Sequence, residues 1–166
     1  MHQYRKVHRR NAICSKAGNF DSSCVLKSCS IYYPLIVLKI RCIFPRRLSS
    51  YIAVRSTLDG TESVVGRTET ILDLENPSYS KEIRVEYDVG SDQIQIVAFD
   101  IYDGDLLGIG SGFLFATVLV QINFLLRTFK TKIMRGNRIL GFLITESRID
   151  QREKTYNLVN GHLHTC

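Results

Sequence analysis

From Tyr33 onward the chain alternates short apolar runs with polar breaks. PLIVLKIRCIF (34–44) is dense in Val, Ile and Leu and is closed by Pro45-Arg46-Arg47, which predicts a buried strand. YIAVRST (51–57) predicts a second strand. LDGTES (58–63) predicts a turn centred on Asp59-Gly60, a pair suited to the positive φ that tight hairpins need. VVGRTETILDL (64–74) alternates well enough for a third strand. ENPSYS (75–80) ends it, because Pro77 has no N–H to donate and pushes Asn76 out of the helical region.

KEIRVEYDV (81–89) has a period of two, with Ile83, Val85 and Tyr87 on one face and Glu82, Arg84 and Glu86 on the other. That is the pattern of a half-buried strand. QIQIVAFDIYD (93–103) repeats the alternation, placing Ile94, Ile96 and Ala98 on one face. GSGFLFATVLVQI (110–122) and RILGFLITES (138–147) supply two more strands, and RTFKTKIMRGN (127–137) is expected as a basic connection between them. Short strands with turn signals at this spacing, and no long amphipathic helix, predict an all-β fold: an antiparallel, eight-stranded β-sandwich. Residues 1–30 are expected to form an irregular basic arm and 31–150 the sandwich. Residues 151–166 form a tail, of which 154–165 could be the first strand of a following domain.

One stretch admits another element. From Leu106 to Leu126 no charged residue occurs, which is long enough for a membrane-spanning helix. Against a span stand Gln121, Asn123 and the glycines at its start, and its β-branched and aromatic positions suit strands.

Charge sharpens the functional classes. Residues 1–50 hold ten Lys/Arg against one acid, 51–105 four against twelve, and 106–166 eight against three. A nucleic-acid binder would not carry an acidic middle third, so nucleic acid is excluded as a partner. An acidic centre with basic flanks fits a cation site or an anionic surface. Five cysteines, with no CxxC and no apolar signal segment before them, point to a reduced, cytoplasmic compartment. No GxSxG or HExxH occurs, and the four histidines lie only near the termini, so the chain is not expected to be an enzyme.

GRTETILDLENPSYSKEIRVEY, then a Gly/Ser/Asp turn, then IQIVAFDIYDGD, resembles the C2 domain, most closely the first such domain of copines. The resemblance rests on Arg67-Thr68-Glu69, Asn76-Pro77, Tyr79, the 81–87 strand and Tyr102-Asp103-Gly104-Asp105, in that order. It implies a C2-type sandwich over about 34–148 that binds phospholipid membranes peripherally, at the cytoplasmic side of the plasma membrane, under calcium control. In the family's third loop, paired aspartates ligate the metal, and Asp103 and Asp105 match them. Asp100, three residues earlier, points to the opposite face of its strand and is expected to be solvated.

The departures bear on calcium, which takes six to eight oxygens from several loops. Where the family places acids in its first loop, this chain has Leu48-Ser49-Ser50-Tyr51. Arg46 and Arg47 stand where negative charge would be wanted, and 106–112 (LLGIGSG) lacks the later acid. Two carboxylates with cationic neighbours make an incomplete site, so calcium dependence is expected to be weakened or lost. If the loops gather at one end, Arg46 and Arg47 meet lipid phosphates and Leu106 and Leu107 insert, with the 127–138 segment adding charge. The alternative is a protein-interaction module on the same sandwich, without lipid binding.

Overall fold

A computed structural model describes residues 13–14, 27–88, 93–104, 112–159 and 162–165, with side chains over 32–88, 93–104 and 112–153. In chain order the strands are β1 (Ile13–Cys14), β2 (Lys27–Ile43), β3 (Leu48–Leu58), β4 (Thr61–Arg67), β5 (Ile71–Leu74) and β6 (Ile83–Glu86). There follow β7 (Ile96–Asp103), β8 (Phe113–Gln121), a short 3-10 helix (Ile122–Leu126), β9 (Phe129–Arg135), β10 (Arg138–Val159) and β11 (His162–Thr165). By its internal contacts the chain divides into residues 35–150 and a second unit of 1–34 with 151–166. In the second unit β1 pairs antiparallel with the start of β2, and β11 pairs antiparallel with the end of β10.

Residues 35–150 build two sheets. One runs β4-β3-β7-β8, with β5 also on β3. In the other, β2 and β10 are neighbours, β6 flanks β2 and β9 flanks β10. All the registered pairings are antiparallel, as expected for an all-β sandwich. The hairpin from β3 to β4 closes on Asp59 and Gly60, with φ of 56° and 73°, the two positive values of the predicted tight turn.

The core lies between the sheets. Ile36, Leu38, Ile52, Val54, Phe99 and Leu143 are among the side chains fully withdrawn from water. β6 shows the anticipated alternation, with Ile83 and Val85 buried and Arg84 and Glu86 exposed. β7 uses the parity opposite to Ile94 and Ala98: Val97, Phe99 and Ile101 join the core, while Ile94 is 65% exposed. The stretch expected as one strand over 64–74 is two, β4 and β5, because Thr68 leaves the ladder. Its hydroxyl accepts the Ile52 amide (2.9 Å) and its own amide donates to the Ile52 carbonyl (2.9 Å).

The segment expected as a basic connection contains β9. Phe129, Thr131 and Ile133 pack inward, and Lys130, Lys132 and Met134 face out. Its period of two was masked by cations on the solvent side. The uncharged stretch from 106 also departs from a membrane span: 113–121 are strand, 122–126 a single 3-10 turn. No helix among the described residues is long and apolar enough to cross a bilayer.

Polar tethers hold the sheets in register. Gln95 donates through Nε2 to Ser56 Oγ on β3 and to the Glu86 carbonyl on β6, both at 2.8 Å. After Pro77 the chain runs beside β2, with Cys42 donating to the Pro77 carbonyl and Tyr79 to the Ile40 carbonyl. Tyr79 then buries its hydroxyl 2.6 Å from Ser50 Oγ.

Candidate functional site

Two buried aromatic or aliphatic anchors shape the β2–β3 loop. Phe44 donates its amide to the Glu75 carbonyl (2.7 Å) and packs edge-on against Phe115. Leu48 is 2% exposed and starts β3. Pro45 cannot extend the β2 ladder, so the chain bends between these anchors and Arg46 and Arg47 are left at the apex. Their side chains are 63% and 67% exposed.

The end of β7 meets this loop. Asp103 Oδ1 accepts the Ser49 amide at 3.1 Å, and Asp103 Oδ2 lies 3.5 Å from Arg46 Nη2. Gly104, at φ +93°, then donates its amide to the Ser49 carbonyl (2.8 Å). Ser49 is held a third way, because its hydroxyl accepts the Asp73 amide at 3.3 Å. Arg47 pairs with Asp73 at 3.4 Å. These charges therefore cancel in two pairs, Arg47–Asp73 exposed and Arg46–Asp103 half-buried on the carboxylate side. Such pairs are each worth about 0–1 kcal/mol, so either arginine can exchange its carboxylate for a stronger anion at little cost.

The structure thus brings Arg46, Arg47 and Asp103 to one end of the sandwich. Asp105, Leu106 and Leu107 lie outside the described residues. Phe113, the first residue of β8 and the cross-strand partner of Asp103, is 83% exposed. Sequence reasoning missed it. Its place beside Asp103 follows from strand register alone, which no local pattern in the sequence marks. Leu72 (57%) and Leu74 (47%) add exposed apolar area on β5, and Leu74 pairs with Leu48. Gly112 lets β8 approach: a Cβ there would lie 2.9 Å from the Asp103 carbonyl oxygen and 3.2 Å from the Tyr51 ring.

Calcium fits poorly on the described residues. Asp103 is one carboxylate, already bonded to an amide and beside a guanidinium, and no group of three or more His, Cys, Asp or Glu that could hold a metal occurs among the described residues. A hard cation that takes six to eight oxygens finds at this end, among the described residues, only Asp103 and Asp73, each already facing an arginine.

Asp100 corrects an expectation. It does face away from the core, but it is 5% exposed instead of solvated. Arg55 grips it through Nε (2.5 Å) and Nη2 (3.0 Å), and Thr117 Oγ1 donates at 2.7 Å. Glu62 takes the remaining side of Arg55 at 2.7 Å. Burial alone would raise the carboxyl's pKa; the hydrogen bonds from Arg55 and Thr117 and the Arg55 charge outweigh it and hold Asp100 below its ordinary value. This network braces the outer face of the sheet. On the same face Tyr51 stacks on Tyr102 at 4.8 Å, with the Arg67 guanidinium 4.2 Å above Tyr51.

No family model matches the chain, and no curated protein matches it. Solved structures do. A C2 domain of plant Extended Synaptotagmin 1 superposes with a TM-score of 0.54 at 14% identity, covering 70% of this chain and 93% of that one. A structure of CC2D1B, described as coordinating activity during mitotic reformation of the nuclear envelope, superposes at 0.51 and 21% identity. There 72% of this chain and 54% of that one are covered. With two antiparallel sheets and these relatives in shape, the protein has the C2 fold.

Proposed function

We propose that this chain binds anionic phospholipid membranes peripherally through the end of the sandwich that carries Arg46, Arg47 and Phe113, with no need for calcium. The observation that supports this most is the Arg46–Asp103 contact at 3.5 Å. The chain's own guanidinium stands against the carboxylate that the copine-like resemblance assigns to a metal. Arg46 and Arg47 then meet lipid phosphates, for which a planar guanidinium is well shaped. Phe113 enters the interface beside them, with Leu106 and Leu107 as further inserting residues. The C2 fold, shared with a synaptotagmin-type domain, is consistent with this use, and the cytoplasmic leaflet of the plasma membrane supplies the anionic surface.

The magnitude bounds the affinity. Two arginines near an anionic surface contribute about 1 kcal/mol each. One inserted phenylalanine adds about 2 kcal/mol. The sum, about 4 kcal/mol, corresponds to a Kd of about 1 mM in accessible lipid. A single domain is therefore a weak, reversible binder.

Co-sedimentation with phosphatidylserine-containing vesicles tests this at millimolar lipid, in calcium and in chelator. Equal binding in both conditions is expected, reduced by Arg46→Glu with Arg47→Glu and by Phe113→Ser. Absence of binding in both conditions, or binding that requires calcium, overturns it.

A further inference from the structure

The sandwich of residues 35–150 has five edge or flanking strands, and four of them carry charges. β4 contains Glu62 and Arg67, β5 Asp73, β6 Arg84 and Glu86, and β9 Lys130, Lys132 and Arg135. Charged side chains on an edge are the usual defence against pairing with a foreign strand. β8, FLFATVLVQ, has none, and no proline either. Among the described residues it pairs only with β7. Arg135 covers one point, donating to the Phe115 carbonyl where the ladder bulges. Beyond it, no other described strand pairs with Ala116–Gln121, and Leu119 is 68% and Leu114 53% exposed on the outer face.

We propose that the outer edge of β8 pairs with an extended segment of a partner protein in which apolar and acidic residues alternate. Main-chain hydrogen bonds supply the hold and alternate side chains the choice of partner. On the outer face, apolar side chains of the added strand pack on Leu119 and Leu114. The alternate side chains turn toward the neighbouring sheet, whose border strand is β9. Residues 127–138 hold five Lys/Arg and no acid, so acids are the complement there. The same cations weigh against a second copy of this chain, because twofold pairing along β8 would bring two such basic borders together. The docking edge, 116–121 with Leu114, begins just past Phe113 on the same strand, includes neither Arg46 nor Arg47, and does not depend on the membrane reading.

The test uses the full chain and a fluorescent peptide of alternating valine and glutamate, with a valine–lysine peptide as control. The Val–Glu peptide is expected to bind in a salt-sensitive manner and to slow amide exchange at 116–121. Leu119→Lys and Arg135→Glu, each checked for an unchanged melt, should weaken it about fivefold, the scale of one cross-strand pair. Arg46→Glu should leave it unchanged. Exchange on the wild type needs no variant, so the proposal stays testable if one fails to fold. Equal binding of both peptides, or no protection at 116–121, overturns it. So does a dimer in sedimentation that Leu119→Lys dissolves, which makes a second copy the occupant. Loss of vesicle binding in Leu119→Lys would overturn it as well, in favour of a membrane contact.

Discussion

Replacing Asp100 by asparagine keeps its shape and removes its charge, which isolates the ion pair beneath the outer face. The carboxylate accepts three hydrogen bonds, two of them from one guanidinium, and its side chain is 6% exposed against 30% for Arg55. Breaking a buried pair by altering one partner costs about 3–5 kcal/mol. Arg55 keeps Glu62 and some water, so the lower end applies, about 3 kcal/mol at pH 7. Against a total stability of about 5–15 kcal/mol that is a large share. It corresponds to a fall in Tm on the order of 10 °C.

The pH dependence fixes the cause. A carboxyl held below its unfolded value of 3.8 contributes stability that is present above that value and is lost as pH falls through the folded pKa. The gap between wild type and Asp100→Asn in urea unfolding should therefore be full at pH 7 and shrink below pH 3.8. Arg55→Leu combined with Asp100→Leu should recover most of the loss, because a packed apolar pair replaces a charged one. An Asp100→Asn protein that unfolds with wild type at pH 7, or a gap that persists undiminished in acid, would refute the reasoning.

Two further substitutions probe the frame. Gly141→Ala must place a methyl 2.1 Å from the Ile43 carbonyl oxygen at φ +136°, so it should cost at least about 2–3 kcal/mol, read as a lower urea midpoint. Tyr79→Phe leaves the buried Ser50 hydroxyl without its 2.6 Å partner and should cost about 1–3 kcal/mol by the same measurement, with the Ser50→Ala/Tyr79→Phe double variant less than additive.

Much of the sandwich was legible in the sequence because burial on one face writes a period of two. β6 and the Asp59-Gly60 hairpin follow from local chemistry alone. What escaped depends on distant partners. Asp100 looks solvated until Arg55, on the next strand, is seen to reach diagonally across to it. β9 looked like a connection because Lys130 and Lys132 occupy its outer positions. In β7 Ile96 and Ala98 share the outer face with Asp100, and apolar residues on both faces blurred which one met the core. The approach of Arg46 to Asp103 was anticipated only through the C2 resemblance, since nothing in either stretch points to the other. Phe113 had no signature at all beyond its register.

Ser49 engages Asp103, Gly104 and Asp73 through its amide, carbonyl and hydroxyl, and so fixes the distance between Arg46 and the carboxylate it faces. A cation delivered this way has an effective concentration set by covalent geometry, in the millimolar range for short tethers, and it is the same at every moment. A diffusible ion at the same carboxylate would rise and fall with its supply. On the membrane reading proposed above, the tether removes that time dependence and leaves the composition of the facing surface as the variable.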